Sequence, residues 1–140
     1  ARVGLLNVGA DEGKGNILCQ ATYPLLKENT PINFCGNLAS RALLPAAAEV
    51  VVCDGFTGNI VLKMAESIYE IAAHRQLEND EFFHRFQYEN YGGTPVLGIN
   101  KPVIIGHGIS NDKAFKNMII QAEVMIESNF CEKIKAVFAS

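Results

Sequence analysis

The sequence predicts an α/β fold: a mostly parallel sheet carrying helices on both faces in a three-layer α/β/α arrangement. Three observations lead there. Short apolar runs alternate with amphipathic stretches along the chain, the order expected of strands joined by crossover helices. The runs are uninterrupted rather than alternating, so both faces of the strands call for cover. Two of the longer stretches place apolar residues three and four apart, which gives each helix one packing stripe. At 140 residues with 49% hydrophobic and 19% charged residues, the chain can bury one core, and its charge falls below the roughly 25% of ordinary soluble domains. A large buried area or a subunit interface is expected.

The first strand candidate is Val3–Asn7, and the chain enters it almost at once, beginning with Ala1 rather than Met. A portion is therefore expected to precede it, with the whole of 1–140 forming the C-terminal part of a single domain. The helix that follows contains Pro24, which removes a backbone donor and crowds the preceding turn, so a kink or restart is expected near Tyr23. Ile32–Cys35 and Val50–Cys53 are the next strands. The helix after the third strand carries the stripe Val61, Met64, Ala65, Ile68, Ile71 and Ala72. Beyond it the periodicity fades between about Arg75 and Tyr91, and a helical excursion is placed at about 66–91. Val103–Gly106 is the last strand. The final long helix carries Phe115, Met118, Ile119, Ala122, Met125 and Ile126 as its stripe. No internal repeat or low-complexity linker divides the chain.

Charge and composition exclude several function classes. A net charge of −3 supplies no basic field for neutralising nucleic-acid phosphates, so no nucleic-acid partner is expected. Cys19, Cys35, Cys53 and Cys131 form neither a disulfide framework nor a CxxC pair, which points to a reducing, cytoplasmic compartment and to cysteines acting as small buried hydrophobes. The apolar runs are far shorter than the roughly 18 residues of a membrane span. His74, His84 and His107 make no HxxxH or HExxH pair, so no metal is expected, and no other cofactor is called for.

Candidate chemistry sits where strands run into helices, because ligands of open parallel sheets bind beyond the carboxyl ends of the strands. After the first strand comes Asn7-Val8-Gly9-Ala10-Asp11-Glu12-Gly13-Lys14-Gly15-Asn16. Glycines there let the backbone approach a ligand, and free helical N–H groups suit a phosphate. The spacing is neither a Walker A loop nor GxGxxG. A second junction, Cys53-Asp54-Gly55-Phe56-Thr57-Gly58-Asn59, leads into the helix bearing Lys63, and a third is Gly106-His107-Gly108-Ile109-Ser110-Asn111. Lys14, Lys63 and His107, with the amides of Asn16, Asn59 and Asn111, have the composition of an anion site. Taken singly, Thr57, Asn59 and Ser110 read equally well as helix caps. Lys63 alone reads as a solvated helix residue and His107 as a structural histidine. Lys14, held between two glycines at a turn, gains nothing from packing. Cys53 closes an apolar strand and no Ser sits in a GxSxG elbow, so no activated nucleophile is present and direct transfer is simpler than a covalent enzyme intermediate.

RVGLLNVGADEGKGN, INFCGN, VVVCDGFTGNIVLK, ENYGGTPVLGIN and VIIGHGISNDKAFKNMI, in that order, closely resemble the phosphate acyltransferases of bacterial phospholipid synthesis. The resemblance covers Arg2 to about Phe138 and is weakest between Glu66 and Glu89. It implies a fold similar to phosphotransacetylases and isocitrate dehydrogenase-like enzymes, a homodimer, and transfer of a long fatty acyl chain from acyl carrier protein to inorganic phosphate. The acyl phosphate would then serve a glycerol-3-phosphate acyltransferase. At the matching positions it implies a site built from Gly13, Lys14, Gly15, Asn16, Asp54, Gly55, Thr57, Gly58, Asn59, Lys63, His107, Gly108, Ser110 and Asn111. Lys14, Asn59, His107 and Asn111 are the candidate catalytic residues, the others the candidate phosphate- and substrate-binding ones. In the same family the aromatic stretch around Phe82, Phe83, Phe86, Tyr88 and Tyr91 supports dimerisation and a weak peripheral membrane contact. Core packing beneath a loop explains these aromatics equally well. Two alternatives remain open at this stage: a phosphotransacetylase-like enzyme using short acyl-CoA, and a non-catalytic dimerisation or binding fragment.

Overall fold

β1 (Arg2–Asn7) is the hub of the sheet because its second half is apolar on both faces: Leu5 is 2% and Leu6 8% exposed. The computed structural model describes residues 1–139 and resolves into two compact units, residues 1–61 and a second beginning at Leu62. Together they make a mixed parallel and antiparallel α/β fold.

In the first unit, β1 is flanked by β2 (Asn33–Ala39) and β3 (Val50–Val52), both parallel to it, in the order β2-β1-β3. The expected strands are there with shifted ends, β2 running four residues further than its apolar run. The extension follows from a bulge. Val3 pairs with Phe34 but Leu5 pairs with Asn37, and Gly36, at φ +95°, absorbs the additional residue in a conformation side chains resist. α1 (Ile17–Glu28) crosses between β1 and β2 and docks on β2 through an edge-to-face contact of Tyr23 with Phe34, centroids 5.2 Å apart. Pro24 lies inside α1 without dividing it: the restart expected near Tyr23 does not occur. The price of Pro24 is a single lost donor, and Thr22 Oγ1 bonds the Leu18 carbonyl at 2.8 Å one turn earlier. Arg2 closes the unit's lower edge by pairing with Glu49, Nη2 to Oε1 at 2.6 Å, while its backbone N–H donates to Oε2.

α2 (Gly55–His74) follows β3, and the unit boundary falls within it. The periodicity continues through residues 66–74, so the irregular part begins only after His74. There α3 (Glu81–His84) starts on Asp80, whose carboxylate accepts from Phe82 N–H at 2.8 Å. A 3₁₀ turn, Tyr88–Asn90, leads to β4 (Gly93–Pro95), an element the sequence did not suggest.

β4 pairs antiparallel with β5 (Ile104–Gly106), which corrects the expectation that the last strand joins a parallel sheet. Cover is also less complete than the apolar runs implied, since Ile105 is 60% exposed and Val50 46%. α4 (Asp112–Glu127) ends where Asn129 adopts the left-handed conformation, φ 52°, and turns the chain into α5 (Phe130–Phe138). Only part of the α4 stripe is packed. Of the stripe Met125 is buried, as is Ala114 outside it, whereas Phe115, Ile119 and Ile126 are 58%, 70% and 63% exposed. None of the four cysteines is fully buried and Cys35 and Cys53 are exposed, contrary to the reading of them as core residues.

Candidate active site

In the first unit, β1 and β3 are parallel neighbours, so the segments that follow them leave the sheet at the same edge. The first junction is held from below by two buried amides. Asn7, 9% exposed, donates from Nδ2 to the Lys14 carbonyl at 3.0 Å and accepts Val8 N–H at 2.8 Å. Asn37, 5% exposed, donates to the Asp11 carbonyl at 2.8 Å. Buried polar groups persist where they are hydrogen-bonded, and here the partners are backbone carbonyls of the loop. Gly15, at φ +95°, lies directly against Asn7, and a Cβ would overlap the Asn7 amide. Gln20 Nε2 ties down the Gly15 carbonyl at 3.0 Å from above.

This frame projects Lys14 outward. Glu12, the nearest acid in sequence, is paired with Lys27 at 3.1 Å, and among the described residues Lys14 forms no ion pair. Asn16 caps α1, its Oδ1 accepting Cys19 N–H at 2.9 Å. The N–H groups of Ile17 and Leu18 remain at the helix N-terminus beside Lys14, an arrangement suited to an anion.

At the second junction Asp54 caps α2. Its Oδ1 accepts Thr57 N–H at 2.9 Å and its Oδ2 the Thr57 hydroxyl at 2.6 Å. These bonds, the hydroxyl's first, hold the Asp54 carboxyl below its usual range. The cap is thus Asp54, and Thr57, expected as a possible cap, is its hydrogen-bond partner instead. Gly58 packs against Cys53, where a Cβ would meet Sγ at 3.0 Å, while Gly55, Gly13 and Gly108 face open space. Asn59 is an exposed residue of the first turns of α2. Burial first, and then the Asp54 charge, raise the Cys53 thiol pKa, so this cysteine is not an activated nucleophile.

The second unit joins Lys63 and His107 through a residue that sequence reasoning did not single out. Glu66 accepts Lys63 Nζ on Oε2 at 2.7 Å and meets His107 Nε2 with Oε1 at 2.8 Å. Burial works to raise the Glu66 pKa, but the bonds from Lys63 and His107 outweigh it and its carboxyl titrates below the ordinary value. Tyr88 lies on the His107 ring, centroids 4.8 Å apart. Asn111 caps α4 by accepting Ala114 N–H at 3.0 Å, and its own amide donates to Glu89 at 2.6 Å. Ser110 Oγ is buried without a partner in the structure.

Glu89, Tyr88, Asn7 and Asn37 were also missed. The spacing of Lys63 and Glu66, one helical turn, was the available signal for Glu66; an amide ending an otherwise apolar strand was the signal for Asn7. No group of three His, Cys, Asp or Glu placed to hold a metal occurs among the described residues. Nor, among them, is any helix long and apolar enough to cross a membrane.

The model of a family described as "Fatty acid synthesis protein" matches residues 1–133. The phosphate acyltransferase of Desulfitobacterium hafniense (strain DSM 10664 / DCB-2) is 42% identical over 153 residues, covering 96% of this chain and 46% of that protein. That of Clostridium botulinum (strain Alaska E43 / Type E3) is 41% identical over 155 residues, covering 97% and 46%, and that of Aquifex aeolicus (strain VF5) 38% over 152, covering 95% and 44%. The chain thus spans less than half the length of these relatives. With nearly every residue matched, the chain belongs to the fatty acid synthesis protein family, among relatives named phosphate acyltransferase.

Proposed function

We propose that the protein transfers a long fatty acyl chain from acyl carrier protein to inorganic phosphate, giving acyl phosphate for phospholipid synthesis. The observation that carries this reading is the loop after β1, where an unpaired lysine stands beside a capped helix N-terminus in a chain whose relatives are named phosphate acyltransferase.

Phosphate is a modest nucleophile, and its attack on a thioester builds charge on the carbonyl oxygen, so the protein has to position the one and stabilise the other. In this reading Lys14, Gly13, Gly15 and the N-terminus of α1 hold phosphate. Asp54, Thr57 and Gly58 shape the neighbouring helix start rather than touch the anion, since a carboxylate repels it. Asn59 serves the acyl carbonyl, a well-placed donor being worth on the order of 3 kcal/mol in the transition state, while His107 and Asn111, whose ring nitrogen and amide are bonded to Glu66 and Glu89, are proposed for the same reaction from the family resemblance. Lys63 adds positive charge, and Gly108 and Ser110 form the turn that carries His107. A thiolate leaves readily, so no strong general acid is required.

In this proposal the protein has a three-layer α/β/α architecture like that of isocitrate dehydrogenase-like and phosphotransacetylase folds and acts as a homodimer. The exposed flank of α4, Phe115, Ile119 and Ile126, is the surface this proposal assigns to the homodimer. Handover to a glycerol-3-phosphate acyltransferase at the membrane surface completes the proposal. The test is hydroxylamine trapping of product formed from long-chain acyl carrier protein. Phosphate-dependent acyl hydroxamate is expected; product only from short acyl-CoA would favour a phosphotransacetylase, and none from either donor would overturn the proposal.

A further inference from the structure

The outward face of α1 breaks the pattern of a crossover helix. Its inner face docks on the sheet through Tyr23 and Phe34, so the opposite side should be polar. Instead Ile17 is 87% and Leu25 70% exposed, and Leu18 and Ala21 are exposed with them. At about 3.6 residues per turn these four fall within roughly a third of the circumference, and at about 1.5 Å per residue the stripe from Ile17 to Leu25 is about 12 Å long. It begins at the anion loop. The N–H groups of Ile17 and Leu18 lie at the helix N-terminus beside Lys14, and helical side chains lean toward that end. Val8, 83% exposed, is tied to Lys14 by a shared partner, since Asn7 accepts Val8 N–H and donates to the Lys14 carbonyl. The Lys14 stem passes close to Gly9, where a Cβ would meet Cγ at 3.5 Å. A lysine without an ion pair among the described residues is thus flanked by an exposed aliphatic residue before it in the loop and another after it. One free positive charge joined to a narrow apolar stripe complements an amphiphilic anion, its head on Lys14 and its hydrocarbon tail along α1.

We propose that Val8, Ile17, Leu18, Ala21 and Leu25 carry the hydrocarbon chain of the acyl thioester and make the protein select long chains over short ones. The proposal rests on the phosphate acyltransferase reading and names the part of the same site that recognises the acyl group. Attack requires phosphate and the acyl carbon to be in contact, so a chain whose carbonyl meets phosphate on Lys14 starts at the loop. A chain of a few carbons ends beside Val8 and Ile17, whereas a long one continues two turns along α1 to Leu25. Each further methylene laid on the stripe leaves water, which is the physical source of the selectivity.

The test combines a kinetic and a labelling readout on the purified protein. Leu25→Gln keeps the helix propensity and removes the apolar end of the stripe. The ratio of kcat/KM for hexadecanoyl over butanoyl thioester is expected to fall by about 4- to 15-fold, the weight of one or two methylene contacts, with the denaturation midpoint unchanged because Leu25 is exposed. An unchanged ratio overturns the proposal. A lower midpoint with an unchanged ratio overturns it too, and assigns the stripe to protein rather than to ligand. The second readout needs neither turnover nor a variant: a hexadecyl phosphonate with a diazirine midway along its chain is photolysed on the wild type and the labelled peptide is sequenced. Label on α1 that inorganic phosphate diminishes is expected, and label confined to residues beyond 61 overturns the proposal. Failure of the transferase reading is a separate result, no acyl phosphate from the wild type with either donor, and the labelled peptide still decides where the acyl chain lies.

Discussion

The residues that matter most for the loop after β1 are ones whose chemistry is spent on the backbone. Asn7 and Asn37 hold the carbonyls of Lys14 and Asp11, and Gly15 leaves the space that Asn7 fills. Gly15→Ala should therefore destabilise the protein by at least about 1–2 kcal/mol from the positive φ alone, with the overlap on Asn7 adding to it. Chemical denaturation measures this, and a variant as stable as wild type would show that the loop is not held as described. Lys14 stood out in the sequence because a lysine between glycines has no packing role, and its part in the chemistry is what we propose. Asn7 and Asn37 did not, because an asparagine at or just beyond the end of an apolar run looks like the start of a loop until its burial and its partners are seen. Glu66 was hidden for a different reason: an i,i+3 pair with Lys63 looks like an ordinary surface pair, and its link to His107 spans 41 residues of sequence.

Among the elements, apolar runs located β1, β2, β3 and β5 well, and three-and-four spacing located α2 and α4. The run at Ile32–Cys35 underestimated β2 because the bulge at Gly36 breaks the pattern that marks a strand, and Gly93-Thr94-Pro95 has too little apolar character to announce β4. Asn16→Ala should lower stability by about 1 kcal/mol through loss of the bond to Cys19 N–H, measurable by denaturation, while Asn16→Asp should preserve it. The strand edge offers a pH test. The side-chain bond from Arg2, then its backbone N–H, lowers the Glu49 carboxyl from 4.5 to about 2. A depressed carboxylate contributes stability that is complete above its unfolded pKa and fades as pH falls through the folded one. The thermal midpoints of wild type and Glu49→Gln should differ by a constant, small amount above pH 4.5 and converge toward pH 2. A gap that stays constant across that range would contradict the pairing.

At the scale of the whole molecule, the low charge content already implied more apolar surface than one small core consumes. The two units bear this out in α4, where one flank of the stripe is packed and the adjacent flank is open. If that flank forms the proposed homodimer, Ile119→Glu should shift the protein from dimer to monomer in sedimentation velocity, and a wild type that is monomeric at micromolar concentration would contradict it.

The central claim is that the β1–α1 loop holds phosphate for attack on an acyl thioester, and Lys14→Ala addresses it most directly. Hydroxylamine trapping with long-chain acyl carrier protein should show phosphate-dependent product from the wild type and a loss of at least about 100-fold in the variant, whose denaturation curve stays unchanged. Equal rates from the two folded proteins would remove the loop from the chemistry and contradict the account.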